Sequence, residues 1–240
     1  MYIFIILVIL VILIKWKLRL KIKWRTLFKK GFRPKRQDFG LYTYTGNQGK
    51  GKTYSLIEYL YDNKDKCVFF GNIKNINING LNYVYYDGFN GLVKTKLDLD
   101  SGFYNDFIKD KQVVFIFDEL FTELQKTSRL SLQVQDFLCQ LRKRKIIFLT
   151  TAQVWAEVPL YFRRLCRYQI DCNMFPFFSS GLIIKKFNDA ENMKWDNDLQ
   201  EHVAPTLELS IAKVRKVVSQ CYDTRERIVN NSVDSSKSTE

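Results

Sequence analysis

Short runs rich in β-branched and aromatic residues recur along the chain: Leu41 to Thr45, Cys67 to Gly71, Val113 to Phe117 and Ile146 to Leu149. Runs of this length and composition predict strands buried on both faces. Between them the period changes. Lys52 to Tyr61 predicts a first helix, and Ser131 to Arg144 carries Leu132, Val134, Phe137, Leu138 and Leu141 at helical spacing. Asp98 to Lys111 is expected to be helical toward its end. Strands alternating with helices predict an α/β domain, a parallel sheet with helices on both faces. Tyr83 to Tyr86 reads as a further short strand. Ile73 to Gly80, with Asn72, Asn75, Asn77 and Asn79 in or beside it, reads as a turn-rich connection. Tyr168 to Met174 and Gly181 to Phe187 predict two more strands, joined as a hairpin around Phe177 to Ser180. Thr206 to Tyr222 is expected to form the last helix.

Ahead of these elements, Met1 to Ile14 carries no charge. At 1.5 Å per residue it would span about 21 Å as a helix, short of a hydrocarbon core of about 30 Å. Trp16, Leu18 and Leu20 extend it if Lys15, Lys17 and Arg19 snorkel toward headgroups. A secretory leader would have a basic start and a small-x-small cleavage site, and neither is present. The expectation is an uncleaved, single-pass N-terminal anchor with a basic flank over residues 1–24, which puts the remainder in the cytoplasm by the positive-inside rule. Residues 25–38 then form a basic linker, 39–229 a globular domain, and 230–240 a polar, disordered tail.

The formal charge of +13 suggests nucleic acid at first sight. However, eleven Lys and Arg fall between Lys15 and Arg36 with no acidic residue, and the rest of the chain holds 27 basic against 25 acidic residues. The excess belongs to one segment, so net charge alone does not argue for DNA. The five cysteines contain no C-x-x-C pair and His202 is the sole histidine. That excludes a zinc ribbon and suits a reducing compartment.

Directly after the first predicted strand stands Gly46-Asn47-Gln48-Gly49-Lys50-Gly51-Lys52-Thr53. This is the G-x-x-x-x-G-K-[ST] phosphate-binding loop in the strand-loop-helix setting its mechanism requires. The glycines let backbone N–H groups close around a triphosphate, Lys52 reaches the β- and γ-phosphates, and Thr53 offers a hydroxyl to Mg²⁺. The segment from Gly46 through Tyr54 is the expected nucleotide contact, with ATP and Mg²⁺ as its ligands.

Val113 to Phe117 ends in Asp118-Glu119. A buried strand ending in adjacent carboxylates can organise Mg²⁺ with the first, Asp118, and polarise an attacking water with the second, Glu119. A further strand between the two motifs, together with this Glu, points to the additional-strand, RecA-like branch of P-loop NTPases. A GTPase would carry Asn-Lys-x-Asp, and Asn63-Lys64-Asp65-Lys66 fails at the fourth position. Past the next strand, Thr150, Thr151 or Gln153 can donate to the γ-phosphate or orient water. Arg142-Lys143-Arg144-Lys145 offers an arginine finger, Arg142 or Arg144, toward a neighbouring subunit; Arg163-Arg164 with Arg167 is a second set. Lys126 and Arg129 are candidate DNA contacts.

This order of motifs resembles the FtsK–HerA superfamily of DNA-pumping ATPases. Within it, the size is similar to the zonula occludens toxin-like morphogenesis ATPases of filamentous phages, and viral genome-packaging ATPases are the near alternative. The resemblance covers roughly residues 40–175. It implies a homo-oligomeric, hexameric ring that hydrolyses ATP to move DNA, tethered at a membrane and working with viral coat or assembly proteins. A membrane-anchored, nucleotide-dependent assembly scaffold that moves no DNA, a DNA-transfer coupling ATPase and a small-molecule kinase are the other readings open at this point.

Overall fold

The computed structural model describes residues 4–10, 39–120, 131–175, 181–196 and 201–222. Its main sheet holds eight strands. Chain order gives β1 (Gly40–Thr45), β2 (Cys67–Gly71), β3 (Tyr83–Tyr85), β4 (Gln112–Phe117), β5 (Ile147–Ala152), β6 (Cys166–Phe175), β7 (Leu182–Asp189) and β10 (Thr206–Lys213). In space the order is β10-β7-β6-β1-β5-β4-β2-β3. A separate two-stranded ribbon pairs β8 (Lys194–Asp196) with β9 (Glu201–Val203). Six neighbouring strands, from β6 to β3, run parallel. The runs forming β1, β2 and β5 are buried along their whole length, as central parallel strands must be.

Among the described residues, helices α1 (Lys52–Asn63), α2 (Gly88–Asp100), α3 (Asn105–Ile108), α4 (Leu132–Gln140), α5 (Leu160–Leu165) and α6 (Lys216–Ser219) accompany the sheet. Alternation along each strand divides the core into two layers. Phe115 and Phe117 of β4 join Leu41, Phe70, Phe148 and Phe137 of α4 on one face. Val114 and Ile116 join Tyr42, Phe69, Leu149 and the α1 residues Leu56, Ile57 and Leu60 on the other. In the first layer Phe115 stacks on Phe70 with ring centroids 5.1 Å apart, and Phe137 meets its edge at 5.0 Å. α4 starts where the sequence signals it, because the Ser131 hydroxyl accepts from Val134 N and caps the helix.

Three expectations are corrected. The sheet is mixed rather than wholly parallel: β6 with β7, and β7 with β10, pair antiparallel, the first two as the expected hairpin. Thr206 to Lys213 is a strand, not the start of a last helix. Leu207, Leu209 and Ile211 repeat every second residue, and this period fits pairing with the hairpin; only Lys216–Ser219 turns helical. Third, among the described residues no helix is long and apolar enough to cross a membrane. Of the N-terminal run, the described residues 4–10 are helical. The expected transmembrane helix, and the membrane location drawn from it, are therefore not supported. The apolar run is short by itself, and Lys15, Lys17 and Arg19 interrupt its extension.

α2 is a helix that the sequence reading did not anticipate. It opens with Gly88 and carries Gly91, residues of low helix propensity; burial of Leu92 and Thr95 anchors it. Lys126 and Arg129, the expected 25–38 linker, the turn at 177–180 and the 230–240 tail lie outside the described residues.

Candidate nucleotide site

β1 delivers the loop to the carboxyl edge of the sheet, where ligands of open α/β folds bind. Gly46 N donates to Gln153 O at 3.2 Å, which ties the loop to the end of β5. A Cβ on Gly46 would sit 2.5 Å from the Cys172 carbonyl oxygen, and one on Gly51 would lie 2.8 Å from Ile183 and Met174. Gly51 also adopts φ +86 as it turns the chain into α1. The loop backbone thus lies directly against β6 and β7, closer than any side chain allows. At Gly49 nothing stands within 4 Å, so the other side is open. Asn47, Gln48 and Gly49 are exposed along it. The first turn of α1 points N–H groups that lack helical partners toward this space.

Lys52 arches back over the loop. Its ammonium donates to Gly46 O at 2.7 Å and Asn47 O at 3.1 Å. Burial lowers its pKa, and the nearby Asp118 carboxylate opposes that shift. Lys50 lies over the Phe175 ring at 5.6 Å. Tyr54 turns its ring into the core, where its hydroxyl donates to Glu58 and accepts from Arg215 N.

The two motifs, 65 residues apart, meet here. Thr53 Oγ1 donates to Asp118 Oδ2 at 3.2 Å, and Thr151 Oγ1 donates to Asp118 Oδ1 at 2.7 Å. Asp118 is buried, whereas Glu119 is exposed with φ +55. The donor set fits Mg²⁺: a hydroxyl and a carboxylate, both hard oxygen donors, stand beside a glycine cradle for phosphate oxygens. Among the described residues no group of three or more His, Cys, Asp and Glu could hold a metal ion.

The remaining candidates divide. Gln153 lies exposed beside the loop. Thr151 faces the carboxylates rather than the open space. Arg142 and Arg144 are at the other end of the sheet. Arg142 approaches Gly40, the first residue of β1, and pairs with Glu191; β1 separates Gly40 from the loop by about 17 Å. Arg144 pairs with Asp100 and lowers the pKa of that carboxyl. Arg167 donates to Phe39 O near the same end. Arg163 is half-buried and Arg164 exposed on α5.

Sequence reasoning missed Asn72. It takes Asp118 N at 2.7 Å with Oδ1 and donates to Asp118 O at 3.0 Å with Nδ2. It also missed a buried polar network beneath the loop helix. Lys185 of β7 pairs with Glu58 of α1, and Arg215 reaches both Glu58 and Asp62. The signal for the latter was present: a lysine inside the apolar stretch Leu182 to Phe187, and a glutamate on the apolar side of α1.

β5 stands between β1, which carries the loop, and β4, which carries Asp118. This interposed strand gives a sheet that resembles RecA-like ATPases. No family model matches the chain, and no curated protein matches it. Among solved structures, the N-terminal domain of zonular occludens toxin from Neisseria meningitidis is similar at 16% identity, over 77% of this chain and 98% of that one, with a TM-score of 0.45. Flagellar accessory protein FlaH from Methanocaldococcus jannaschii is similar at 18% identity, over 73% and 89%, also with a TM-score of 0.45.

Proposed function

We propose that the chain hydrolyses ATP with Mg²⁺ and that an oligomer of it uses this reaction to move DNA during virus assembly. The observation that carries the hydrolytic part is the meeting of Thr53 with Asp118 at 3.2 Å beside Lys52. Binding begins with the loop: Lys52 exchanges its bonds to Gly46 O and Asn47 O for the β- and γ-phosphates, and the α1 N-terminus receives the remaining charge. Thr53 and Asp118 would hold Mg²⁺, which supplies charge neutralisation on the phosphate oxygens. Glu119, exposed at the turn after β4, accepts a proton from the attacking water. Gln153, whose carbonyl holds Gly46, is placed to report the state of the loop to the segment that follows β5.

The DNA-moving part rests on the order of motifs described above. Arg142 is exposed at the end of the sheet remote from its own loop, which suits action on a neighbouring subunit in a ring; Arg144 is the second candidate. Residues 39–229 would form the ATPase domain, with coat or assembly proteins as further partners. A nucleotide-dependent scaffold that moves no DNA is the competing class, and Glu119 separates the two because a switch requires no base.

The test is ATP turnover by the full chain with and without single- and double-stranded DNA, with Glu119→Gln alongside. Hydrolysis that DNA stimulates, and that falls by about 10² to 10⁴ in Glu119→Gln with ATP binding retained, is the expected result. Turnover unchanged by DNA removes the motor, and equal turnover by Glu119→Gln removes the base.

A further inference from the structure

The peptide bond that joins Asp118 to Glu119 is gripped at both ends. Its carbonyl oxygen, on Asp118, accepts from Asn72 Nδ2 at 3.0 Å. Its N–H, on Glu119, donates to Thr151 Oγ1 at 2.7 Å. Asn72 follows directly on β2 and Thr151 lies in β5, and these two strands flank β4 in the sheet. The turn is therefore held from both sides by strands that are themselves buried.

Each residue does a second thing. Asn72 Oδ1 accepts from Asp118 N at 2.7 Å, so its amide spans the whole backbone of that residue. Thr151, while accepting from Glu119, donates its hydroxyl proton to Asp118 Oδ1 at 2.7 Å. One hydroxyl thereby fixes the backbone of the second carboxylate residue and the side chain of the first. Glu119 meanwhile has φ +55, a left-handed conformation that residues with a Cβ adopt rarely. Such a conformation persists where surrounding bonds over-determine it, and φ of Glu119 sets the direction of its Cα–Cβ bond.

We infer that Asn72 and Thr151 are positioning residues for the hydrolytic step: by clamping the 118–119 peptide they hold Glu119 left-handed and direct its carboxylate to the loop side of the sheet. The inference rests on the reading of Glu119 as the base. It assigns to β2 and β5 a role in turnover, and the two residues differ in reach: Asn72 bonds only the backbone of Asp118, whereas Thr151 also bonds the Asp118 carboxylate that Thr53 meets. A residue that served only the fold would change the amount of folded protein and leave turnover per bound nucleotide alone.

The experiment uses the full chain and near-isosteric replacements that cannot form the bonds, Asn72→Leu and Thr151→Val, with Thr151→Ser as the conservative variant. Three quantities are read: kcat and KM for ATP, the Kd of a fluorescent ATP analogue, and hydrogen exchange of the peptide spanning Phe117 to Leu120. The expected result for both Asn72→Leu and Thr151→Val is a fall in kcat of about tenfold or more, and for Asn72→Leu, which leaves the Asp118 carboxylate its partners, KM and Kd stay within about threefold. Exchange at the Glu119 amide should quicken about tenfold in Thr151→Val. Thr151→Ser should return both kcat and exchange to near wild type. Wild-type kcat in the two isosteric variants would overturn the inference, as would an equal loss in Thr151→Ser and Thr151→Val, which would mark packing rather than the hydroxyl. If the wild-type chain hydrolyses no nucleotide, the base reading falls and exchange alone decides. Glu119 protection lost in Thr151→Val then upholds the clamp, and protection unchanged removes it.

Discussion

Replacing Lys185 by Met tests whether α1, the helix that follows the glycine loop, is pinned to the hairpin by charge. Lys185 and Glu58 are buried, their side chains 5% and 4% exposed. Met fills nearly the same volume, so the change removes a charge without opening a cavity. Glu58 is then left buried with two remaining contacts, the Tyr54 hydroxyl at 3.3 Å and Arg215 at 3.2 Å. Removing one partner of a buried pair costs about 3–5 kcal/mol, and the surviving contacts place this case near 3 kcal/mol. Removing both charges with Glu58→Leu and Lys185→Met should return stability to within about 1 kcal/mol of wild type, because neither member bears a desolvated charge alone. Arg215 keeps Asp62 at 2.7 Å in that variant. Urea unfolding followed by far-ultraviolet circular dichroism reads the difference. With a slope of about 3 kcal/mol per molar, the single variant shifts the midpoint by about 1 M. A single variant within about 0.3 M of wild type, or a double variant less stable than the single, would refute the argument. The pair matters to the site because Ile183, two residues along β7 on the same face, backs the loop at Gly51.

Lys52→Ala should raise the Kd of a fluorescent ATP analogue by about two orders of magnitude, since it deletes the charge proposed to meet the β- and γ-phosphates; fluorescence titration measures it. Gly46→Ala should weaken nucleotide binding and lower the melting temperature together, because its Cβ would meet a backbone oxygen at 2.5 Å. Gly49→Ala, with nothing within 4 Å, should lower the melting temperature less. Burial pushes the Cys166 thiol up to about 12 and the Cys172 thiol up to about 11. Both therefore stay protonated at pH 8. Of the five cysteines only Cys139 is exposed, so a thiol reagent at pH 8 should modify one rapidly in the native protein and all five in denaturant.

How far the sequence disclosed this site depends on how local each part of it is. Gly46 to Thr53 is contiguous, and its glycines mark backbone positions where φ is positive or an approach is close, so its chemistry can be read from spacing. Asp118-Glu119 is legible for the same reason, as the end of an unbroken apolar run. Thr206 to Lys213 was misassigned because eight residues of period two compete with a longer helical reading, and the partner strand that decides between them lies elsewhere in the chain. The N-terminal run shows the converse error: hydrophobicity identified an apolar segment, but no helix long and apolar enough to cross a membrane stands among the described residues.

Asn72 shows the general reason. In sequence it sits at the head of an asparagine-rich connection and reads as a turn former. Its role follows from register instead. Gly71 pairs with Ile116, so the next residue of β2 comes level with the end of β4 and meets the backbone of Asp118. A shift of one residue between those strands would turn the Asn72 side chain to the opposite face and leave the 118–119 peptide held by Thr151 alone. The strand register is in turn set by the alternation that sends Phe70 and Phe115 into one layer and Phe69 and Ile116 into the other. Aromatic packing several residues below the edge thus fixes which polar groups meet at the edge. That dependence is long-range, and it explains why the phosphate loop can be recognised from eight consecutive residues while the clamp on its proposed base cannot.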